Sequence, residues 1–382
     1  QMQKVMGAVM GLNYGWEHPL WSAETPGVKD TNGFTRQNWF EPVGKECKML
    51  REKAGIIDIS NFAKYVVQGK KGRDWLDAVF ANKMPTEVGR SCLTPLISRR
   101  GGLAGDFTVT LIAQDEYWIF GSGMAERYHK RFFDSVPLPE GVRFDSRTEA
   151  VCGFNLAGPL SRKILQRLTN TSLNNDDFQF MRSKCADLAG IDVKMLRVSF
   201  TGDLGWEVHC NTADQKALYT ALLETGKEFG VGPVGSRALM AMRVEKGYGS
   251  WSREYSPEYW PHEQGMDRLC KMDKDFLNKA ALQAVLAQEP REQMVLLHLN
   301  EAAVTASNAD ATGGEPVFKD GNGVGRVTSG AYGYSVGLSL ALAMVKDVGP
   351  GDEVEVMVLG QPHKAKILHQ PPFDPTGKKL RA

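Results

Sequence analysis

The pattern of the chain changes at residues 288–293, a charge-rich stretch that divides two kinds of sequence. Ahead of it, strand-like and helix-like segments follow one another. Beyond it, residues 294–299, 325–328, 341–345, 353–358 and 363–368 are short apolar runs parted by Gly, Asn and Asp turns. Short strands so regularly broken must cover or close their edges, and this tail therefore reads as a small all-β barrel. The chain has 382 residues. Single hydrophobic cores stop growing at roughly 250–300 residues, so more than one packed unit is expected. The expected organisation is an irregular N-terminal segment over 1–44, an α+β body over 45–287 and a barrel over 288–382.

Within the body, helical spacing predicts helices over 45–55, 71–79, 125–133, 158–168, 212–229, 235–245 and 278–287. Strands are expected over 56–59, 64–68, 116–120, 142–147, 151–156, 193–199 and 206–210. Residues 93–97 and 107–112 flank an Arg-Arg-Gly-Gly turn and read as a hairpin. The first 45 residues hold Tyr14, Trp16, Trp21, Phe34, Trp39 and Phe40 among Gly and Pro, which suits a segment laid over a domain surface.

Lys plus Arg is 46 and Asp plus Glu is 45. That balance excludes a polybasic nucleic-acid binder, which needs concentrated positive charge. No run approaches 18 apolar residues, so no membrane span is expected. The six cysteines form no CxxC pair and show no zinc spacing. They read as reduced, buried thiols, which predicts a reducing compartment and a cytoplasmic protein. No HExxH, GxSxG or Walker A motif is present, and neither Gly-rich stretch lies between a strand and a long helix. The expectation is therefore no metal and no FAD in this chain.

Three segments carry residues suited to chemistry. In the first, Arg99 to Val109, Gly and Ala residues lead to Asp106 at the mouth of an apolar strand. A carboxylate there suits a general base or a stabiliser of a cation; the commoner use of Asp beside Gly is to satisfy a turn. In the second, Glu207 lies between Trp206 and Val208 in a strand after a Gly-rich turn. It either points to solvent or grips two parallel N–H groups of a heterocycle edge. In the third, Arg243 closes an apolar helix and Trp251 follows a Gly-rich turn. Arg243 suits a carboxylate ligand or the helix C-terminus, and Trp251 a flat ligand ring or the core.

Taken in order, "AGIIDISNFAKYVVQG", "LISRRGGLAGDFTVTLI", "LAGPLSRKILQRLT", "VSFTGDLGWEVH", "RALMAMRVEKGYGSW" and "VTSGAYGYSVGLSLALAMV" resemble the folate-binding aminomethyltransferase family, which includes the T-protein of the glycine cleavage system. "YGWEHPLW" followed by "GFTRQNWFEPVGKEC" resembles the start of the folate half of dimethylglycine and sarcosine dehydrogenases. The resemblance implies an α+β fold with three modules in a ring around a central funnel, two of them α+β and the last a β-barrel. It implies tetrahydrofolate as cofactor, bound pterin end inward, and transfer of a carbon from a small methylated amine to give 5,10-methylene-tetrahydrofolate. Asp106 would be the catalytic carboxylate near folate N10 and Glu207 the grip on the pterin edge. Phe200, where the family often has Tyr, would lie beside the ring. Arg243, Trp251 and Leu93 would line the pocket. Two departures stand out: Gly105 replaces the first of two adjacent acids, and Leu93 replaces a Tyr. FAD would belong to a partner subunit or to a missing N-terminal half. Two other readings remain at this point: transfer of an intact methyl from a sulfonium, amine or aryl ether, or a folate-binding module without catalysis.

Overall fold

The computed structural model describes every residue except Tyr14. The chain begins with a short helix and an antiparallel hairpin, Ala8–Asn13 paired with Trp16–Ser22. The first segment is therefore not wholly irregular as expected. Pro19 and a register shift at Val9/Met10 break its alternation, and an isolated two-stranded sheet tolerates both because its outer edges need no partner. The expected aromatic Tyr14 lies outside the described residues.

The helix Phe40–Glu52 follows, starting five residues earlier than its apolar spacing suggested. Pro42 stands in its first turn, where a missing N–H costs no intrahelical bond. The helix buries Val43, Glu46, Cys47 and Leu50 at helical spacing. Glu46 ties three elements together. Its two carboxylate oxygens accept from the Ser22 amide at 2.6 Å and from the Gly235 amide at 2.9 Å.

Two sheets form the body, and the chain visits them in alternation. Strand Gly55–Asp58 belongs to a six-stranded sheet, whereas the next strand, Ala63–Gln68, belongs to a five-stranded one. The five-stranded sheet runs Ser91–Ile97, Leu103–Ala113, Glu116–Gly121, Ala63–Gln68 and Arg143–Ser146, all antiparallel. The chain then returns to complete the six-stranded sheet with Val151–Ala157, Ser183–Leu188, Ile191–Leu196, Gly205–Asn211 and Gly232–Val234. Only Gly232–Val234 runs parallel to its neighbour, Gly55–Asp58.

Each sheet has its own core. Phe80, Phe107 and Phe133 centre one, and Phe154, Phe178 and Trp206 the other. A smaller cluster, Val66, Ile112, Trp118 and Phe120 against Val151 and Leu196, joins the two sheets. Thr110 and Ser183 add a hydroxyl–hydroxyl contact of 2.5 Å. The C-terminal strands close into a six-stranded barrel around Leu297, Val317, Ala341 and Val356, sealed where Gln293–Leu299 pairs with Gln361–Ile367. This is the α+β body with a terminal barrel that the sequence predicts. Among the described residues no helix is long and apolar enough to cross a membrane.

Candidate active site

The two sheets, the N-terminal hairpin and the barrel leave a cavity of about 1840 Å³ between them. Its walls include Leu12 and His18 of the hairpin, Asp106 and Glu207 of the two sheets, and Arg326 and Thr328 of the barrel.

Strand alternation aims both carboxylates. In Leu103–Ala113, Phe107, Val109 and Leu111 enter the core, so Asp106 and Thr108 face the cavity. In Gly205–Asn211, Trp206, Val208 and Cys210 enter the core, so Glu207 faces the cavity. Asp106 is half-buried. Its Oδ1 is closed off from solvent and has no hydrogen-bond partner. Burial pushes its carboxyl up from 3.8 to about 6, near the range a general base needs at neutral pH. Gly105 explains why a second acid is missing. A Cβ there would meet a Phe107 ring carbon at 2.5 Å and His129 Nε2 at 2.8 Å. The His129 ring occupies the space behind the strand, 4.6 Å from the Phe107 ring. Burial lowers its pKa to about 4, so it stays neutral.

Glu207 Oε2 lies 3.6 Å from His209 Nε2. His209 is buried and stacks on Phe120, 4.6 Å between ring centres. Burial lowers its pKa, so the imidazole beside Glu207 is neutral. Phe200 stacks on Tyr248 at 6.0 Å and 21°, and both line the cavity. Leu93, 45% exposed, lines it from the strand beside Asp106, opposite Thr108. Trp251 lines it too.

Arg243 does not, which corrects the expectation. It is 1% exposed and faces inward. Its NH1 donates to Glu254 and to the Tyr248 carbonyl, each at 2.9 Å, and its NH2 to Ser329 at 2.6 Å. Glu254 is fully buried and also accepts from the Ser250 amide at 2.9 Å and from Thr328 at 2.7 Å. The pair clamps the 248–255 loop, which presents Tyr248, Trp251 and Tyr255 to the cavity. Tyr255 was not anticipated. Its signal is Gly249, where a Cβ would come within 2.6 Å of the Tyr255 ring.

The family model of the GCVT N-terminal domain matches residues 1–274, and that of the glycine cleavage T-protein C-terminal barrel domain matches residues 293–374. The chain belongs to the glycine cleavage T-protein family. Mitochondrial dimethylglycine dehydrogenase of Mus musculus is 34% identical over 95% of the chain and 42% of that protein. A probable aminomethyltransferase of Thermococcus kodakarensis is 26% identical over 91% of the chain and 94% of its own length. The chain thus spans less than half the length of the dimethylglycine dehydrogenase but nearly all of the aminomethyltransferase. The crystal structure of glycine cleavage system aminomethyltransferase T from Bartonella henselae superposes with a TM-score of 0.84 at 21% identity, covering 98% of this chain and 96% of that one. The T-protein fold accounts for the ring of modules around the cavity.

Proposed function

We propose that this T-protein family member passes a one-carbon unit from a methylated amine of the dimethylglycine type, as iminium or formaldehyde, to tetrahydrofolate, giving 5,10-methylene-tetrahydrofolate. The observation that carries this reading is the Asp106 carboxyl, unpartnered at Oδ1 in the wall of a cavity large enough for an extended cofactor. The residues present suit tetrahydrofolate: Glu207 offers two acceptor oxygens to a donor edge, and Phe200 and Tyr248 offer ring faces. Tetrahydrofolate supplies the nucleophilic nitrogens and carries the carbon away. Asp106, ionised at neutral pH, stabilises the cation that develops nearby and accepts the N10 proton. Glu207 fixes orientation, which makes the encounter effectively unimolecular. The walls limit water access to a reactive one-carbon unit.

The names of the relatives, dimethylglycine dehydrogenase and sarcosine oxidase, support assigning the oxidation of the amine to an FAD-dependent oxidoreductase domain or subunit that acts with this chain. The scattered cysteines support a reducing compartment, for which the cytoplasm is our proposal. The test is incubation with tetrahydrofolate and formaldehyde, then with methylated donors, followed by identification of the folate product. The methylene form supports the reading. The 5-methyl form, made from a sulfonium or amine donor, would replace it with intact methyl transfer.

A further inference from the structure

Glu207 is aimed by its strand, yet little around it holds its carboxylate still. Among the described residues no backbone amide, lysine or arginine lies within bonding distance of that carboxylate. Asn155, directly across on Val151–Ala157, donates its amide hydrogens elsewhere, to the Val198 and Trp206 carbonyls at 3.4 and 3.2 Å. The polar group that does face it is His209, whose Nε2 lies 3.6 Å from Oε2.

His209 follows Glu207 by two positions, so both side chains leave the same face of the strand. Glu207 opens onto the cavity, whereas His209 is 1% exposed. The fold makes a fitted slot for its ring. Gly153 lies opposite it in the register, and a Cβ there would come within 2.5 Å of Nδ1. Phe120, from the other sheet, stacks on the ring at 4.6 Å and 28°. The ring is thereby kept from turning, with Nε2 on the Glu207 side.

Neither ring nitrogen has a hydrogen-bond partner. A buried neutral imidazole still carries one N–H, and leaving it unmatched is costly. Nδ1 is closed in by Gly153. Nε2 needs only about 0.6 Å of approach to bond the carboxylate. Two lysines near the ring, Lys64 and Lys194, oppose a positive charge on it. Lys64 donates to the Ser60 and Phe62 carbonyls, each at 2.8 Å, and Lys194 lies over the Trp118 ring at 4.7 Å, so neither is bonded to Glu207. An ionised carboxylate has about four acceptor sites, so one bond from His209 leaves room for two parallel N–H groups of a ligand.

We propose that His209 is a positioning residue: its Nε2–H donates to Oε2 of Glu207 and holds that carboxylate ionised, with its remaining lone pairs turned to the N–H edge of the bound pterin. The contact stands on the geometry of the chain; its effect on the cofactor rests on the folate reading above.

The test compares two amide variants of the whole chain. The His209→Gln side chain can place its NH2 where Nε2 stood, and that of His209→Asn only where Nδ1 stood. Both take the ring away from Phe120, so a merely structural role would make them alike. Equilibrium titration with tetrahydrofolate is expected to leave His209→Gln within about 3-fold of the wild type and to weaken His209→Asn about 10-fold. Equal affinities in the two variants overturn the role. A second measurement does not need His209→Asn to fold. Nitrogen-15 spectra of the wild type labelled at histidine, assigned by the signal lost in His209→Gln, are expected to show His209 protonated at Nε2 and to shift when Glu207→Gln removes the carboxylate. A proton on Nδ1, or a signal indifferent to Glu207→Gln, overturns the contact. A wild type that binds tetrahydrofolate while the two variants bind alike loses the positioning role and keeps the folate reading. A wild type that does not bind tetrahydrofolate loses the folate reading and with it the role at the cofactor, while the spectra still decide the contact.

Discussion

Asp106 is costly to the fold and useful to the chemistry for the same reason. Its carboxyl ordinarily ionises near 3.8, and burial moves it to about 6. The folded state therefore holds the proton more tightly than the unfolded state, and stability falls as pH rises from about 4 to about 6. At full burial that gap would amount to about 3 kcal/mol; the carboxyl is partly exposed to the cavity, so about 1–2 kcal/mol is expected. Asp106→Asn should then raise the melting temperature at pH 8 and leave it unchanged below pH 4, which differential scanning calorimetry at the two pH values checks. The same substitution should cut one-carbon transfer by about 10²–10⁴, since an amide neither balances a cation nor takes a proton. Folate affinity should stay within a few-fold. Glu207→Gln should act the other way. It sets a donor against the donor edge of the pterin and should weaken binding by roughly 2–3 kcal/mol. Equilibrium folate titration with single-turnover transfer on both variants separates the roles; normal turnover in Asp106→Asn, or normal binding in Glu207→Gln, would reverse the assignments.

The 248–255 loop shows what an element adds to such residues. Arg243 and Glu254 lie eleven positions apart and are 1% and 0% exposed. Removing one leaves the other charged and buried, so Arg243→Met should cost about 3–5 kcal/mol of stability. The double variant Arg243→Met/Glu254→Gln should recover part of that, as a urea-unfolding cycle would reveal; strictly additive losses would mean that the pair does not act as one unit. Alternation along the two strands turns Asp106 and Glu207 out of the core, but the sequence pattern left a turn for Asp106 and solvent for Glu207 equally in view, and only the family resemblance pointed to their roles. The burial of Arg243 was not legible, because its partners depend on a loop closure and on Ser329 of the barrel, 86 positions away. The helix Glu301–Ser307 was overlooked although Asn300 caps it, accepting from the Ala303 amide at 3.2 Å. Close approach was equally hidden. Gly235 opens the helix Ser236–Glu245 against the N-terminal hairpin, where a Cβ would lie 2.2 Å from the Leu20 carbonyl oxygen. Gly235→Ala should therefore destabilise by about 1–3 kcal/mol, measurable as a lowered urea midpoint with an unchanged slope.

Across the whole molecule, the order of the chain differs from the order of its modules. Gly55–Asp58 and Gly232–Val234 lie side by side in the six-stranded sheet, although all of the five-stranded sheet is made between them. No local pattern announces that pairing, which is why the two α+β modules expected over 45–287 were given no boundary between them. Side-chain ties bind the modules further. Arg51, on the helix Phe40–Glu52, pairs with Asp203 and with Glu245 and lies over the Phe373 ring at 3.5 Å. Glu245 in turn accepts from the Ser335 amide of the barrel at 2.8 Å. The body and barrel should therefore unfold together. The cavity is walled by the hairpin, both sheets and the barrel, so a ligand in it stabilises all of them at once. Tetrahydrofolate at about 100 times its dissociation constant should add about 2.7 kcal/mol, or roughly 3 °C for a chain of this size, with 1:1 stoichiometry. The expected calorimetric trace is one transition that moves as a unit. A second transition that stays in place while the first moves would mean that the barrel contributes nothing to the bound state, and a trace unmoved at saturation would remove tetrahydrofolate from the cavity altogether.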